Sequence, residues 1–81
     1  MSYYTYILKS FKNNKFYVGY TSNLEQRIKL HNSGKNLATK SDGPWKLYYA
    51  EEFADEATAI RREKQIKGWK SRKAIERLKF K

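Results

Sequence analysis

Aromatic or β-branched segments and segments with helix-end signals follow one another along 81 residues in the order strand, strand, helix, strand, helix, helix. That order predicts a small domain of the α+β class. Two further observations bound it. Apolar residues make up 40% and aromatics 16%, too much packing material for a disordered basic tail. There is no cysteine and one histidine, so neither a disulfide framework nor a thiolate or multi-histidine zinc centre can hold the chain, and stability must come from packing. No stretch approaches the ~20 apolar residues of a membrane span, and the start lacks a hydrophobic signal core. The expectation is a single domain over residues 1–81, cytoplasmic and away from membranes.

Tyr3 to Leu8 and Phe16 to Thr21 are strand-like, and Lys12-Asn13-Asn14-Lys15 between them reads as the turn of a β-hairpin. Asn tolerates positive φ, so a tight Asn13-Asn14 turn would pair Lys12 with Lys15 and Ser10 with Tyr17. In that register, or any shifted by two residues, Tyr4, Tyr6, Leu8, Tyr17 and Gly19 share one face, with Ile7, Phe11, Phe16, Val18 and Tyr20 on the other. Ser22-Asn23-Leu24-Glu25 has the spacing of a capping box and predicts a helix to about Asn32, ended by Gly34. Lys35 to Pro44 reads as a surface loop. Trp45 to Phe53 alternates as a third strand, with Trp45, Leu47 and Tyr49 on one side. Asp55 caps a second helix through Lys67 that stops at Gly68, and Ser71 caps a short third helix carrying Ile75 and Leu78 inward.

The formal net charge is +10, and residues 57–81 hold ten basic residues against two acids, so +8 of it lies there. A polyanion is the expected partner. Nucleic acid is the commonest for a small basic protein, with Lys64, Lys67, Lys70, Arg72 and Lys73 as sequence-independent phosphate contacts. The plainer alternative is a solvated face kept for solubility. Two helix positions also break the apolar pattern. At about 100° per residue, Arg27 and His31 interrupt the arc of Leu24, Ile28 and Leu30, and Glu63 falls within the arc of Ala59, Ile60 and Ile66. An inward arginine implies a carboxylate or a bound anion, unless Arg27 snorkels from the edge of the arc, and His31 alone also fits a plain packing or helix-end residue. A carboxylate among so many basic residues points to a cation site or a salt bridge, and a direct Arg27–Glu63 pair would resolve both anomalies without any chemistry.

Tyr4-Thr5-Tyr6, then Tyr17-Val18-Gly19, then Arg27 and His31 on the first helix and Glu63 on a later one resemble the GIY-YIG nuclease superfamily. The run Tyr-Val-Gly-Tyr-Thr-Ser-Asn-Leu-Glu-Gln-Arg, with His-Asn-Ser-Gly and Arg-Arg-Glu-Lys-Gln-Ile-Lys, is similar to its small stand-alone bacterial group of UvrC-like nuclease-domain proteins. Tyr4 and Thr5 stand where the family name has Gly and Ile, Tyr20 stands where many members carry lysine, and no Asn follows Asn36. The resemblance implies a three-stranded antiparallel sheet packed against about three helices, hydrolysing phosphodiesters in DNA or RNA with one divalent ion, Mg²⁺ or Mn²⁺. By the same resemblance Tyr6 or Tyr17 would position or deprotonate the attacking water, and Arg27 would stabilise the phosphorane charge. His31 would contact the phosphate or assist proton transfer, Glu63 would hold the metal, and Gly19 would keep space open beside the tyrosines. Close approach of Tyr6 and Tyr17 requires a hairpin loop longer than the tight Asn-Asn turn. A monomer is expected, with a protein partner as one route to target selection. The alternative is a nucleic-acid-binding module of the same fold with weak or no turnover.

Overall fold

A computed structural model describes residues 2–33, 43–69 and 71–79. The elements are β1 (Tyr3–Ser10), β2 (Phe16–Thr21), α1 (Leu24–Asn32), β3 (Trp45–Phe53), α2 (Glu56–Lys67) and α3 (Arg72–Lys79). The three strands form one antiparallel sheet in the order β2-β1-β3. The expected α+β class and its sheet are both present. Gly34, most of the Lys35–Pro44 segment and Lys70 lie outside the described residues.

Strand alternation sends the side chains of β1 to two different cores. On one face Tyr6 and Leu8, with Trp45 of β3, pack against Leu24 and Ile28 of α1. On the other, Ile7 and Val18 meet Ile66 of α2 and Leu78 of α3, with Phe16, Tyr48, Tyr49, Trp69 and Ile75 around them. A hydrogen bond pins α2 to the central strand: Thr5 Oγ1 donates to the Ala59 carbonyl at 2.7 Å, where the small Ala59 lets the backbones approach.

Three local expectations are corrected. The hairpin pairs Leu8 with Tyr17 and Tyr6 with Gly19, two residues away from the register of a tight Asn-Asn turn. The cause is a four-residue loop, Phe11 to Asn14. Ser10 N–H donates to the Lys15 carbonyl at 2.9 Å, Ser10 Oγ accepts from the Lys12 and Asn13 amides, and Asn14 adopts φ 60°. The predicted faces survive for the strand residues because a shift of two preserves parity, whereas Phe11, expected on the face of Ile7, falls in the loop and is exposed. In β3, Leu47 faces Leu8 and Tyr49 faces Ile7, leaving Tyr48 as the extra residue of a bulge. Parity therefore flips between Leu47 and Tyr49, and Tyr49 joins the opposite core from Trp45. The cap of α1 is Asn23, whose side chain accepts from the Gln26 amide at 3.1 Å, in place of the Ser22 box. Asp55 caps α2 as expected, accepting from the Thr58 amide at 2.9 Å. The helix stops at Gly68, which stays right-handed at φ −74°.

The last residue of α1 holds the start of β3. Trp45 N–H donates to Asn32 Oδ1 at 2.6 Å, and Asn32 Nδ2 donates back to the Trp45 carbonyl at 2.9 Å. Asn32→Ala removes both bonds from a buried strand end, which is expected to cost about 2 kcal/mol. A thermal melt would read this as a fall of roughly 10 °C for a domain of this size.

Candidate functional site

Cross-strand pairing puts Tyr6 directly opposite Gly19, and the tyrosine ring lies over the glycine. A Cβ at position 19 would sit 2.6 Å from the Tyr6 hydroxyl oxygen, 2.8 Å from Tyr6 Cζ and 3.2 Å from the Tyr17 ring. Any side chain at this position would have to displace the Tyr6 ring, so the expected role of Gly19 has a steric basis. Beneath the rings lies His31 of α1. Tyr6 and His31 are each 1% exposed, and the Tyr6 hydroxyl and His31 Nε2 stand 2.9 Å apart. Tyr17 packs on the imidazole with ring centroids 4.7 Å apart, and on Tyr6 at 6.4 Å. Burial, followed by the neighbouring Tyr17, pushes the Tyr6 hydroxyl far above the usual phenol range. Burial, with help from the Arg27 charge, lowers the pKa of His31, so the imidazole is neutral at neutral pH.

Above this aromatic floor opens a polar cleft of about 340 Å³, lined by Tyr6, Tyr17, Gly19, Arg27, Glu56 and Glu63 among others. Four of the five expected catalytic positions therefore line one concavity. His31 is not among its lining residues and meets it through Tyr6 and Tyr17, so the sequence expectation of a phosphate contact from His31 has no surface to act through. Arg27, half-buried, has no ion pair among the described residues. Glu63 pairs with Lys67 instead, Nζ to Oε2 at 2.9 Å, its side chain only 14% exposed. The direct Arg27–Glu63 pair considered from the sequence does not form.

Glu56 was missed in the sequence. It stands seven residues before Glu63, two helical turns along the same stripe of α2, so the i, i+7 spacing was the available signal. Among the expected phosphate contacts, Lys64 and Lys73 are exposed, Lys67 is in the Glu63 pair, and Lys70 lies outside the described residues. Arg72 ties α3 to the hairpin: its guanidinium donates to the Asn14 carbonyl at 2.6 Å and lies 4.4 Å from the Phe16 ring centroid.

No group of three or more His, Asp or Glu side chains able to hold a metal ion occurs among the described residues. The cleft nonetheless fits a hard divalent cation of the kind that takes few protein ligands and completes its shell with phosphate oxygens and water. Glu63 supplies one carboxylate, with Oε1 outside its lysine pair, and Glu56 a second carboxylate on the cleft wall.

Two expected outcomes test the floor of this site. Gly19→Ala should lower stability by about 1–3 kcal/mol, read from a denaturant midpoint, because a buried ring must move. Below pH ~6.5 the unfolded chain binds a proton at His31 that the folded chain resists, so stability is complete above that pH and falls as pH drops through it. Melting temperature should decline from pH 7.5 to 5.5, above the carboxylate range, and His31→Gln should flatten that slope. Equal slopes in the two proteins would contradict a neutral buried imidazole.

Residues 2–76 match the family of the GIY-YIG catalytic domain. A UPF0213 protein of Staphylococcus haemolyticus is 47% identical over 66 residues, which cover 80% of this chain and 79% of that one. A UPF0213 protein of Clostridium perfringens is 48% identical over 65 residues, 79% of this chain and 69% of that one. The solution NMR structure of a UPF0213 protein from Bacillus halodurans matches 96% of this chain and 82% of its own, with a TM-score of 0.60 and 38% identity. A ring packed on a glycine across two strands, with an arginine and a glutamate over it, thus belongs to a recognised domain: this chain is a member of the GIY-YIG nuclease family and of its small UPF0213 group.

Proposed function

We propose that the chain is a divalent-metal-dependent endonuclease that hydrolyses phosphodiester bonds in DNA, with RNA as the second substrate class. The observation that carries this reading is Arg27, a half-buried cation lining a polar cleft with no acidic partner among the described residues. Such a charge is costly to desolvate unless an anion meets it, and a phosphate is the anion its planar fork suits. Around it, Tyr17 is half-buried and lines the cleft. Its hydroxyl oxygen is better placed than that of Tyr6 to accept a hydrogen bond from an attacking water and orient it toward phosphorus, the water's proton passing to bulk solvent. Tyr6 and His31 act behind it as positioning residues, fixing the wall on which Tyr17 packs. Arg27 donates to the non-bridging oxygens as negative charge develops in the transition state. Glu63, with Glu56 on the same cleft wall, would hold the cation, and Lys67, whose side chain is 52% exposed, is free to turn from Glu63 toward solvent. When bound, Mg²⁺ or Mn²⁺ supplies Lewis-acid polarisation of a phosphate oxygen. Lys64 and Lys73, both exposed, contribute phosphate contacts outside the cleft, and the protein works as a monomer.

The Glu63–Lys67 pair also favours a second reading, a nucleic-acid-binding module in which the lysine permanently occupies the carboxylate and turnover is lost. Single-turnover cleavage in Mg²⁺ and Mn²⁺ separates the two. Under the nuclease reading, Glu63→Gln cuts the rate at least a hundredfold per folded molecule, since each ~1.4 kcal/mol of lost transition-state stabilisation is tenfold. Nucleic-acid affinity stays level or rises slightly. Wild-type rates in the variant would overturn the role of Glu63, and no cleavage by the wild type on duplex, single-stranded or branched DNA or on RNA would favour the binding module.

A further inference from the structure

Two tyrosines line the cleft that neither the packing of the fold nor the chemistry proposed above uses. Tyr3 of β1 and Tyr20 of β2 are both half-buried there. Thr5 stands opposite Tyr20 in the ladder, so Tyr3, two residues before Thr5, shares that face of the sheet and lies one diagonal step from Tyr20. Residues so placed are about 7–8 Å apart, a span that aromatic side chains reach across.

The face they share is the one that carries α2, but its core stops short of them. Ile7 and Val18 pack with Ile66, and Thr5 bonds the Ala59 carbonyl. Beyond Thr5, neither Tyr3 nor Tyr20 belongs to that cluster or to the one beneath α1. Among the described residues neither ring pairs with another aromatic ring, and neither hydroxyl has a hydrogen-bond partner in the protein. Half-buried aromatic rings ordinarily serve a core or a hydrogen bond. These two serve neither, and what they border is the cleft.

Their position in the cleft sets what they can meet. They stand on the face of α2, which contributes Glu56 and Glu63, whereas Arg27 reaches the opening from α1 on the other face. A ligand that engages both sides needs an anion for Arg27 and, a short distance away, a flat group for the rings. A nucleotide carries both. We infer that Tyr3 and Tyr20 form a base platform, on which the base of an unpaired nucleotide packs while its adjoining phosphate lies at Arg27. Stacking of this kind accepts any base, because every base has a π-face, but a base held within a duplex stack has no open face to offer. The inference rests on the nucleic-acid reading of the cleft and adds to it a preference for substrates with an unpaired nucleotide at the site.

Binding in the presence of a chelator, which prevents cleavage, tests the platform with three fluorescent probes: an oligothymidylate, an abasic strand of the same length that keeps the phosphates without the bases, and the matching duplex. Tyr20→Ala and Tyr3→Ala, compared per folded molecule, should each weaken oligothymidylate binding at least about fivefold and leave the abasic strand and the duplex unchanged. Tyr20→Phe, which keeps the ring and loses the hydroxyl, should bind like the wild type. Arg27→Ala should weaken the oligothymidylate and the abasic strand alike, which reads the phosphate site separately from the rings. Unchanged oligothymidylate affinity in both alanine variants, an equal loss on the abasic strand, or a loss in Tyr20→Phe as large as in Tyr20→Ala would overturn the platform while leaving the cleft assignment standing. A wild type that binds none of the probes would overturn both.

Discussion

The closest packing at the site is between a tyrosine ring and a missing side chain. Tyr6 lies across Gly19 in the register that the hairpin loop sets, and that pairing brings Tyr17 within ring contact of both Tyr6 and His31. The same ring gives His31 its hydrogen-bond partner and thereby fixes how α1 lies on the sheet. Arg27, one helical turn earlier, is then held over the cleft. On the opposite face, Ile66 and Ala59 seat α2 against β1 and β2, which turns Glu63 toward the same opening. A site with contributions from both faces of a three-stranded sheet thus depends on one position being glycine.

The electrostatics follow from this geometry. The interior of the site is neutral, an aromatic pair with a histidine that resists protonation. The charges line the opening, one cation without an acid partner among the described residues and two carboxylates on a single helix stripe. Such an arrangement keeps ions in contact with solvent until a ligand arrives, avoiding the penalty that a fully buried pair would carry. Two of the basic residues in the C-terminal third have structural work: Arg62 bonds Glu51 at 2.7 Å and lies over Trp69, and Arg72 holds the hairpin. The excess of positive charge in the C-terminal third therefore overstates the surface available to phosphates.

Features governed by periodicity and end signals were legible in the sequence. Parity assigned both hairpin faces, Asp55 and Gly68 bounded α2, and helical spacing turned Arg27, His31 and Glu63 inward. Features governed by a single local hydrogen bond were not. Ser10 Oγ collecting two loop amides lengthened the turn, and a bulge at Tyr48 reversed the second half of β3. The depth of each inward residue was also hidden, since a helical wheel separates sides but cannot tell a fully buried His31 from a cleft-lining Arg27. Glu56 escaped because a first-turn acid ordinarily serves the helix dipole.

In the proposed nuclease site Arg27, Tyr17 and Glu63 would enclose a phosphate and a divalent cation in one cleft. Paramagnetic broadening by Mn²⁺ in the ¹⁵N-labelled protein, with a phosphorothioate dinucleotide present, tests this independently of turnover. The Glu63, Arg27 and Gly19 amides are expected to broaden first and together. Broadening centred on other carboxylates, such as Glu25 or Glu76, with the cleft resonances unaffected, would contradict it.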